Sequence, residues 1–342
     1  MTTSREIRLR SRPQGLPAAA NFELASVDLP APGPGEVQVR NTWMTVDPYM
    51  RGRMNDVKSY VPPFQLGRPL EGGAIGEVIT SNDPSLKPGD LVQSNFGWRE
   101  AFNAPASSVQ KLNTHGLPPE AFLGVAGMPG LTAYAGLLRI AALKPGDVVF
   151  VSGAAGAVGS LVCQIAKLKG HKVIASAGGA EKARFLKDEI GVDAVIDYKA
   201  TGDSAAALTA ALTAALAEAT PDGIDVYFDN VGGGHLEAAL NAARPYARFA
   251  ICGMISMYNA EAPVPGPSNM ALIIGKNLRL EGFIVSNHWD MMGDFLKDLG
   301  GWHASGKLKW RQTVREGIAS APDAFIGLFT GANMGKMLVK LS

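Results

Sequence analysis

The stretch that decides the fold is Val148-Val-Phe-Val-Ser-Gly-Ala-Ala-Gly-Ala-Val-Gly-Ser160. Its first four residues are a continuous apolar run, which predicts a strand covered on both faces. The glycines predict a tight turn. Ala157–Lys169 predicts a helix with Val158, Leu161, Val162, Ile165 and Leu168 on one face. Strand, glycine turn and helix N-terminus in this order form a site for the pyrophosphate of a dinucleotide. Gly156 lets the backbone approach the phosphates, Gly159 lets helix and strand pack closely, and the helix N–H groups face the negative charge. The first glycine of the usual G-x-G-x-x-G pattern is Ala154 here, with Gly153 just before it. A tight turn with no ligand is the alternative for such a loop.

Outward from the loop, apolar strands alternate with helices. Thr132–Ala142 reads as helical, and Lys144-Pro-Gly-Asp147 turns the chain into the strand. Downstream, Lys172–Ala175, Ala194–Asp197, Ile224–Phe228 and Ala247–Ile251 read as strands, and Glu181–Ile190 and Ser204–Ala219 as helices. The fold class is α/β, with a doubly wound parallel sheet. The second strand ends in Ala175-Ser-Ala-Gly-Gly-Ala-Glu-Lys182, without the acid that would bind a ribose 2′-hydroxyl. Lys182 instead favours a 2′-phosphate, hence NADP(H). A solvated helix lysine is the alternative, and Glu181 beside it is a mild objection.

The first 125 residues have a different texture. Glu36–Arg40, Ala74–Ile79 and Asp90–Gln93 are short strand-like stretches, separated by turns such as Ala31-Pro-Gly-Pro-Gly35 and Lys87-Pro-Gly-Asp90. This is a β-rich domain. Near Leu308 the alternation stops. Phe325–Phe329 reads as a helix, and Lys336–Leu341 as a strand returning to the first domain.

Composition narrows the function. A chain of 342 residues is long enough for roughly two domains. With 32 basic and 31 acidic residues the net charge is +1, which argues against a nucleic-acid-binding surface spread over the chain. The 40 glycines, about 12% of the chain against a typical value of about 7%, fit a cofactor loop and many turns. The two cysteines, Cys163 and Cys252, exclude a disulfide framework and thiolate-rich zinc sites, and both read as packing residues. His115, His171, His235, His288 and His303 are scattered, so no metal is expected. No run approaches the ~18 apolar residues of a membrane span. Met1–Arg8 has no apolar run after its basic residues, and with two free thiols the expectation is a cytoplasmic protein.

Five stretches carry a resemblance: Thr45-Val-Asp-Pro-Tyr-Met-Arg51, Gly127-Met-Pro-Gly-Leu-Thr-Ala-Tyr134, Ala154–Gly159, Tyr227-Phe-Asp-Asn-Val-Gly-Gly233 and Cys252-Gly-Met-Ile-Ser-Met-Tyr-Asn259. Together they resemble the medium-chain dehydrogenase/reductase superfamily. Within it they are similar to the group of leukotriene B4 12-hydroxydehydrogenases (prostaglandin reductases), 2-alkenal reductases and bacterial NADPH-dependent curcumin reductases. Asp47–Met54 and Ser59–Phe64 look closest to the bacterial type. In Pro69–Val78, Leu70 stands where zinc enzymes of the superfamily carry a ligand histidine, so the resemblance is to a zinc-independent branch.

The resemblance implies a GroES-like β-rich catalytic domain over 1–129, a Rossmann NADP-binding domain over 130–305, and a segment over 306–342 that returns to the catalytic domain. It assigns the pyrophosphate to Gly156, Ala157, Val158 and Gly159, and the 2′-phosphate to Lys182 and Tyr198. It assigns the rest of the cofactor to Asn230, Cys252, Gly253, Met254, Ile255, Ser256, Phe283, Ile284, Val285 and Asn333. It further implies hydride transfer to the β-carbon of an enone or enal, with Tyr258 stabilising the enolate and Tyr49 lining the substrate pocket. Asp47 and Arg51 flank Tyr49 and suit a structural ion pair. A homodimer is implied, through sheet edges near Ala247–Gly253 and Leu278–Val285. The alternatives are a zinc-free quinone reductase, a secondary alcohol dehydrogenase, or a non-catalytic NADPH-binding protein of the crystallin kind.

Overall fold

Val148–Val151 is buried along its whole length, as an apolar run without alternation requires in a sheet covered on both faces. The computed structural model describes residues 2–200 and 204–341. They form two units: Gly124–Arg311 is continuous, and Met1–Leu123 is completed by Gln312–Ser342. In chain order the strands are β1 (Thr2–Leu9), β2 (Phe22–Leu29), β3 (Glu36–Thr45), β4 (Ala74–Ser81), β5 (Leu91–Ser94), β6 (Ala101–Pro105), β7 (Gln110–Lys111), β8 (Val148–Val151), β9 (Lys172–Ala177), β10 (Ala194–Asp197), β11 (Ile224–Asp229), β12 (Ala243–Ile251), β13 (Arg279–Gly282), β14 (Gln312–Glu316) and β15 (Lys336–Lys340).

In the continuous unit six strands lie parallel in the order β10-β9-β8-β11-β12-β13. This is the doubly wound Rossmann arrangement. The order reverses between β8 and β11, the switch point where such sheets take ligands beyond the carboxyl ends of the strands. Phe150, Ile174, Tyr227 and Phe249 pack with Leu212 and Leu216 of the helix Ala205–Ala219 and with Leu236 and Leu240 of the helix Gly233–Ala242. The helix after the glycine loop starts at Gly159 rather than Ala157, because the loop runs on through Val158. Its Leu161, Val162 and Ile165 are buried, and Val158 and Leu168 are half-buried. The helix read over Thr132–Ala142 begins earlier, at Met128, where Pro129 suits a first turn. It closes in a wider π turn over Gly136–Ile140.

One expectation is corrected here. β12 pairs with β11 on one side and β13 on the other, so Ala247–Ile251 is an interior strand and no sheet edge lies there. The edge belongs to β13. Strand order is set by crossovers, and no local pattern in β12 carries it.

The discontinuous unit is β-rich. β14-β15-β3-β4-β5-β7 form one sheet with β6 also on β3, and β1 and β2 pair as a hairpin. Val37, Val39, Val78, Val92 and Phe102 make one small core. A larger one joins Met44, Met50, Leu70, Trp98, Phe325 and Met337. The helix Ala321–Thr330 is longer than Phe325–Phe329, with Pro322 in its first turn and Gly331 at φ 72° closing it. β15 runs parallel to β14 and antiparallel to β3, pairing Leu338 with Thr45 and Lys340 with Trp43. Among the described residues no helix is long and apolar enough to cross a membrane.

Candidate active site

The loop after β8 is built on one obligatory glycine. Gly153 has φ +58°, the left-handed region that glycine enters without strain. The turn glycine therefore stands one residue earlier than in the usual fingerprint, and Ala154 behind it is buried. Gly156 N–H donates to Gly153 O at 3.0 Å and Ala154 N–H to Ser176 O at 2.9 Å, which ties the loop to the end of β9. A Cβ on Gly159 would lie 2.5 Å from Gly153 O and 2.8 Å from Ala154 Cα. The start of the helix is thus pressed against the backbone of the loop that leaves β8, rather than against the strand itself. On Gly156 a Cβ would meet only Gly153 O, at 3.2 Å. Ala157 and Val158 are half-buried between that point and the helix.

A cationic corner sits after β9 and β10. Asp197 Oδ1 accepts the N–H groups of Gly179 (2.9 Å) and Lys199 (3.1 Å), which fixes the two turns against each other. The side chains of Tyr198 and Lys199 close over Gly178, where a Cβ would lie 2.9 Å from both Tyr198 Cζ and Lys199 Cε. Burial, and then the charge of Lys199, hold the Lys182 ammonium below the ordinary lysine value. Burial raises the Tyr198 hydroxyl, with Asp197 adding to it. The Tyr198 ring meets His235 edge-on at 5.3 Å, and His235 Nε2 lies 2.9 Å from Ser176 Oγ. Burial holds the His235 imidazole down at about 4. Lys199 was missed in the sequence. Its signal is a second lysine directly after Tyr198.

At the ends of β11 and β12 the chain forms two laced turns. Asp229 is fully buried, and its Oδ1 accepts from Val231 N–H (2.9 Å), Gly232 N–H (2.8 Å), Tyr227 Oη (2.8 Å) and Ser152 Oγ (3.1 Å). Burial pushes its carboxyl above the ordinary carboxylate value, against the pull of those donors. Asn230 Nδ2 donates to Ser152 O at 2.7 Å, joining this turn to the glycine loop. Ile255 N–H reaches Asn230 O (3.3 Å) and Ser256 N–H reaches Val231 O (3.2 Å). Met254 packs over Gly232, whose Cβ would lie 2.9 Å from Met254 Cγ. Burial, and then the Asp229 charge, push the Cys252 thiol up to about 12. Tyr258 is half-exposed. Its Oη accepts Met254 N–H at 3.3 Å, and a Cβ on Gly253 would lie 3.1 Å from it. Asp229 was quoted within a motif, yet nothing in its neighbours announces four converging donors.

Phe283, Ile284 and Val285 follow β13. Phe283 N–H donates to Ile251 O at 3.4 Å, and its ring stands edge-on to Phe228 at 6.2 Å. The fold thus gathers Gly156–Gly159, Asn230, Cys252–Ser256, Tyr258 and Phe283–Val285 after the carboxyl ends of β8, β11, β12 and β13, with Lys182 and Tyr198 after β9 and β10.

Tyr49 and Asn333 belong to the other unit. Tyr49 is half-buried just before the short helix Met50–Arg53. Burial, reinforced by the Asp47 charge, raises its hydroxyl well above the usual tyrosine value. The expected Asp47–Arg51 pair is corrected. Asp47 takes Lys336 Nζ at 2.5 Å, and both side chains are buried. Lys336 also donates to Val46 O at 3.0 Å, and Thr45 Oγ1 to Asp47 Oδ2 at 2.8 Å. Arg51 donates instead to the carbonyls of Gly15 and Pro13 and to Asn55 Oδ1. The reason is geometric: Arg51 lies in the helix that follows Asp47, while β15 brings Lys336 alongside. Asn333 Nδ2 donates to Gly335 O at 2.8 Å in the turn before β15. Leu70 is buried in the larger core. Among the described residues no group of three or more His, Cys, Asp or Glu side chains gathers that could hold a metal ion.

Comparison with known proteins agrees with this architecture. A family model described as "N-terminal domain of oxidoreductase" matches residues 5–112, and one described as "Zinc-binding dehydrogenase" matches residues 157–299. A Bacillus subtilis protein named as an NADP-dependent oxidoreductase is 46% identical over 100% of this chain and 99% of its own. The NADPH-dependent curcumin reductase of Escherichia coli is 39% identical over 98% of this chain and 96% of its own. The crystal structure of CurA from Vibrio vulnificus in complex with NADPH is 41% identical, covers 99% of both chains and superposes with a TM-score of 0.92. From end to end, the chain belongs to the medium-chain dehydrogenase/reductase family, in the zinc-independent group that holds NADPH-dependent curcumin reductase, 2-alkenal reductase and prostaglandin reductase 1.

Proposed function

We propose that this chain is an NADPH-dependent reductase of carbon–carbon double bonds conjugated to a ketone or aldehyde. The observation that carries the proposal is its full-length kinship with NADPH-dependent curcumin reductase and 2-alkenal reductase (NADP(+)-dependent). The residues fit the cofactor. Apart from Gly153 O, the space a Cβ on Gly156 would fill is open, as a backbone-close phosphate requires. Lys182 and Lys199 hold two positive charges within electrostatic reach of each other, which suits a dianionic 2′-phosphate.

The chemistry NADPH would supply when bound is a hydride for the β-carbon of the substrate. Gly156, Ala157, Val158 and Gly159 would hold the pyrophosphate, and Lys182 and Tyr198 the 2′-phosphate. Asn230, Cys252–Ser256 and Phe283–Val285 would line the remainder. As the double bond is reduced, negative charge develops on the carbonyl oxygen, and the Tyr258 hydroxyl stabilises it by hydrogen bonding. If the proton is passed on, Met254 N–H remains as a donor to the Tyr258 oxygen. Tyr49 contributes an apolar wall with a hydroxyl that stays protonated through the working pH range. On the same footing we propose a cytoplasmic enzyme, since Cys163 and Cys252 are both free. We also propose a homodimer across β13, the end strand of its sheet.

The deciding experiment incubates the protein with NADPH and 4-phenylbut-3-en-2-one and identifies the product. The saturated ketone is expected. The allylic alcohol as sole product, or turnover only with quinones, would overturn the proposal. A homodimer is expected by light scattering, and a monomer at micromolar concentration would refute that part.

A further inference from the structure

Asp229 has no role in the chemistry proposed above, yet its geometry controls the loop that does. The N–H of Val231 and the carbonyl of Asn230 belong to one trans peptide and point in opposite directions. The N–H of Gly232 and the carbonyl of Val231 belong to the next. By accepting both N–H groups, at 2.9 and 2.8 Å, Asp229 Oδ1 sets the rotation of both planes. Their carbonyls then face the other way, toward the segment after β12. Asn230 O accepts Ile255 N–H (3.3 Å), and Val231 O accepts Ser256 N–H (3.2 Å) and Ser256 Oγ–H (2.6 Å). The carbonyl of Asp229 itself accepts Cys252 N–H (2.9 Å) and Gly253 N–H (3.0 Å). Ile255 and Ser256 therefore hang on peptide groups that one buried carboxylate orients, Cys252 and Gly253 on the carbonyl of the same residue, and two residues after Ser256 the chain reaches Tyr258.

A carboxylate suits this task better than an amide. It is an acceptor only, and its negative charge makes each hydrogen bond to it stronger than one to a neutral amide oxygen, so Oδ1 can draw backbone and hydroxyl donors together. Asparagine would keep a weaker acceptor. It would also put an NH2 group where Oδ2 is buried and has no hydrogen-bond partner among the described residues.

We infer that Asp229 is a positioning residue that holds the Tyr258-bearing loop in its working geometry without touching substrate, an inference that rests on the donor role proposed for Tyr258. Two measurements on the full chain test it. The first is independent of turnover. In Asp229→Asn, amide hydrogen exchange of peptides spanning 252–258 should speed up at least about tenfold, while peptides spanning 180–190 keep the wild-type rate. No change, or an equal change in both regions, overturns the positioning role. The second is a double-mutant cycle on NADPH-dependent enone reduction. Asp229→Asn should lower kcat about tenfold with 2′,5′-ADP affinity unchanged, and Asp229→Asn/Tyr258→Phe should be no slower than Tyr258→Phe within about twofold. Losses that multiply, or a parallel fall in 2′,5′-ADP affinity, overturn action through Tyr258. Absence of wild-type enone turnover would instead count against the proposed function, and the exchange measurement would still decide the role of Asp229. Should the asparagine variant fold poorly, Asp229→Glu serves as the conservative rescue. Recovery of slow exchange at 252–258 supports the inference, and fast exchange in a folded Asp229→Glu protein opposes it.

Discussion

Gly159→Ala and Gly156→Ala separate the two demands placed on the glycine loop. At position 159 the new Cβ would stand 2.5 Å from Gly153 O, 2.8 Å from Ala154 Cα and 3.0 Å from Gly153 C. All three are backbone atoms and cannot swing aside as a flexible side chain would. Forcing a methyl group into so tight a contact costs about 1–3 kcal/mol. For a unit of this size each kcal/mol moves the midpoint by about 2–4 °C. Ligand-free Gly159→Ala should therefore melt about 2–12 °C below wild type. At position 156 the Cβ would meet Gly153 O at 3.2 Å and nothing else within 4 Å. Its thermal midpoint should stay within about 2 °C of wild type, as for a substitution costing no more than about 0.5 kcal/mol. The same methyl group would stand where a phosphate must approach the backbone, so NADPH affinity should fall at least about tenfold. Circular-dichroism melts without ligand and nicotinamide fluorescence titrations measure the two effects. Wild-type melting of Gly159→Ala would refute the packing argument. Wild-type NADPH affinity in Gly156→Ala would remove the pyrophosphate from this turn.

Four other substitutions probe separate parts of the molecule. Lys182→Ala should raise the KM for NADPH at least about tenfold and leave that for NADH within about twofold; equal effects on both would remove its role at the 2′-phosphate. Tyr258→Phe should lower kcat about 10²–10³-fold with NADPH affinity nearly intact, and unchanged turnover would assign the donor elsewhere. Burial lowers the His235 pKa from 6.5 to about 4, so between those values the unfolded chain binds a proton that the folded chain does not. Stability is lost as pH falls through that window, by about 2–3 kcal/mol at pH 4.5. Urea titrations at pH 7 and 4.5 should show a correspondingly smaller acid loss in His235→Gln, and an identical loss would exclude His235 as its source. Lys336→Met strands the buried Asp47 carboxylate and should cost about 3–5 kcal/mol in urea denaturation at pH 7; a loss below about 1 kcal/mol would mean that Asp47 finds another partner.

Much of this was legible because it is local. The apolar run Val148–Val151, the glycines after it and the alternation of strands and helices that follows are each set by neighbours in sequence. The place of Lys182, in the helix turn after the second strand, is local in the same way. What escaped depends on chain ends meeting in space. Gln312-Thr-Val-Arg-Glu316 is a largely exposed end strand with one paired neighbour, so its pattern carries no burial signal. Lys336 and Asp47 are 289 residues apart, whereas Arg51 stood four residues away and offered a more obvious partner. The β12 edge was misjudged because strand order is a property of crossovers. Asp229 lay in a quoted motif, but its significance comes from peptide planes, which have no letter in the sequence.

The return of β15 to β3 also orders events in time. At a synthesis rate of about 5–20 residues per second, the 289 residues between Asp47 and Lys336 take about 15–60 s to make. During that interval the Trp43–Thr45 end of β3 has no neighbour on the side that Leu338–Lys340 will occupy, and an open strand edge invites pairing with other chains. The continuous unit Gly124–Arg311 is wholly synthesised before β15 exists. The strands made first are thus the last to be closed, and a nascent chain stalled short of residue 336 would carry one completed nucleotide fold beside an unfinished, aggregation-prone sheet.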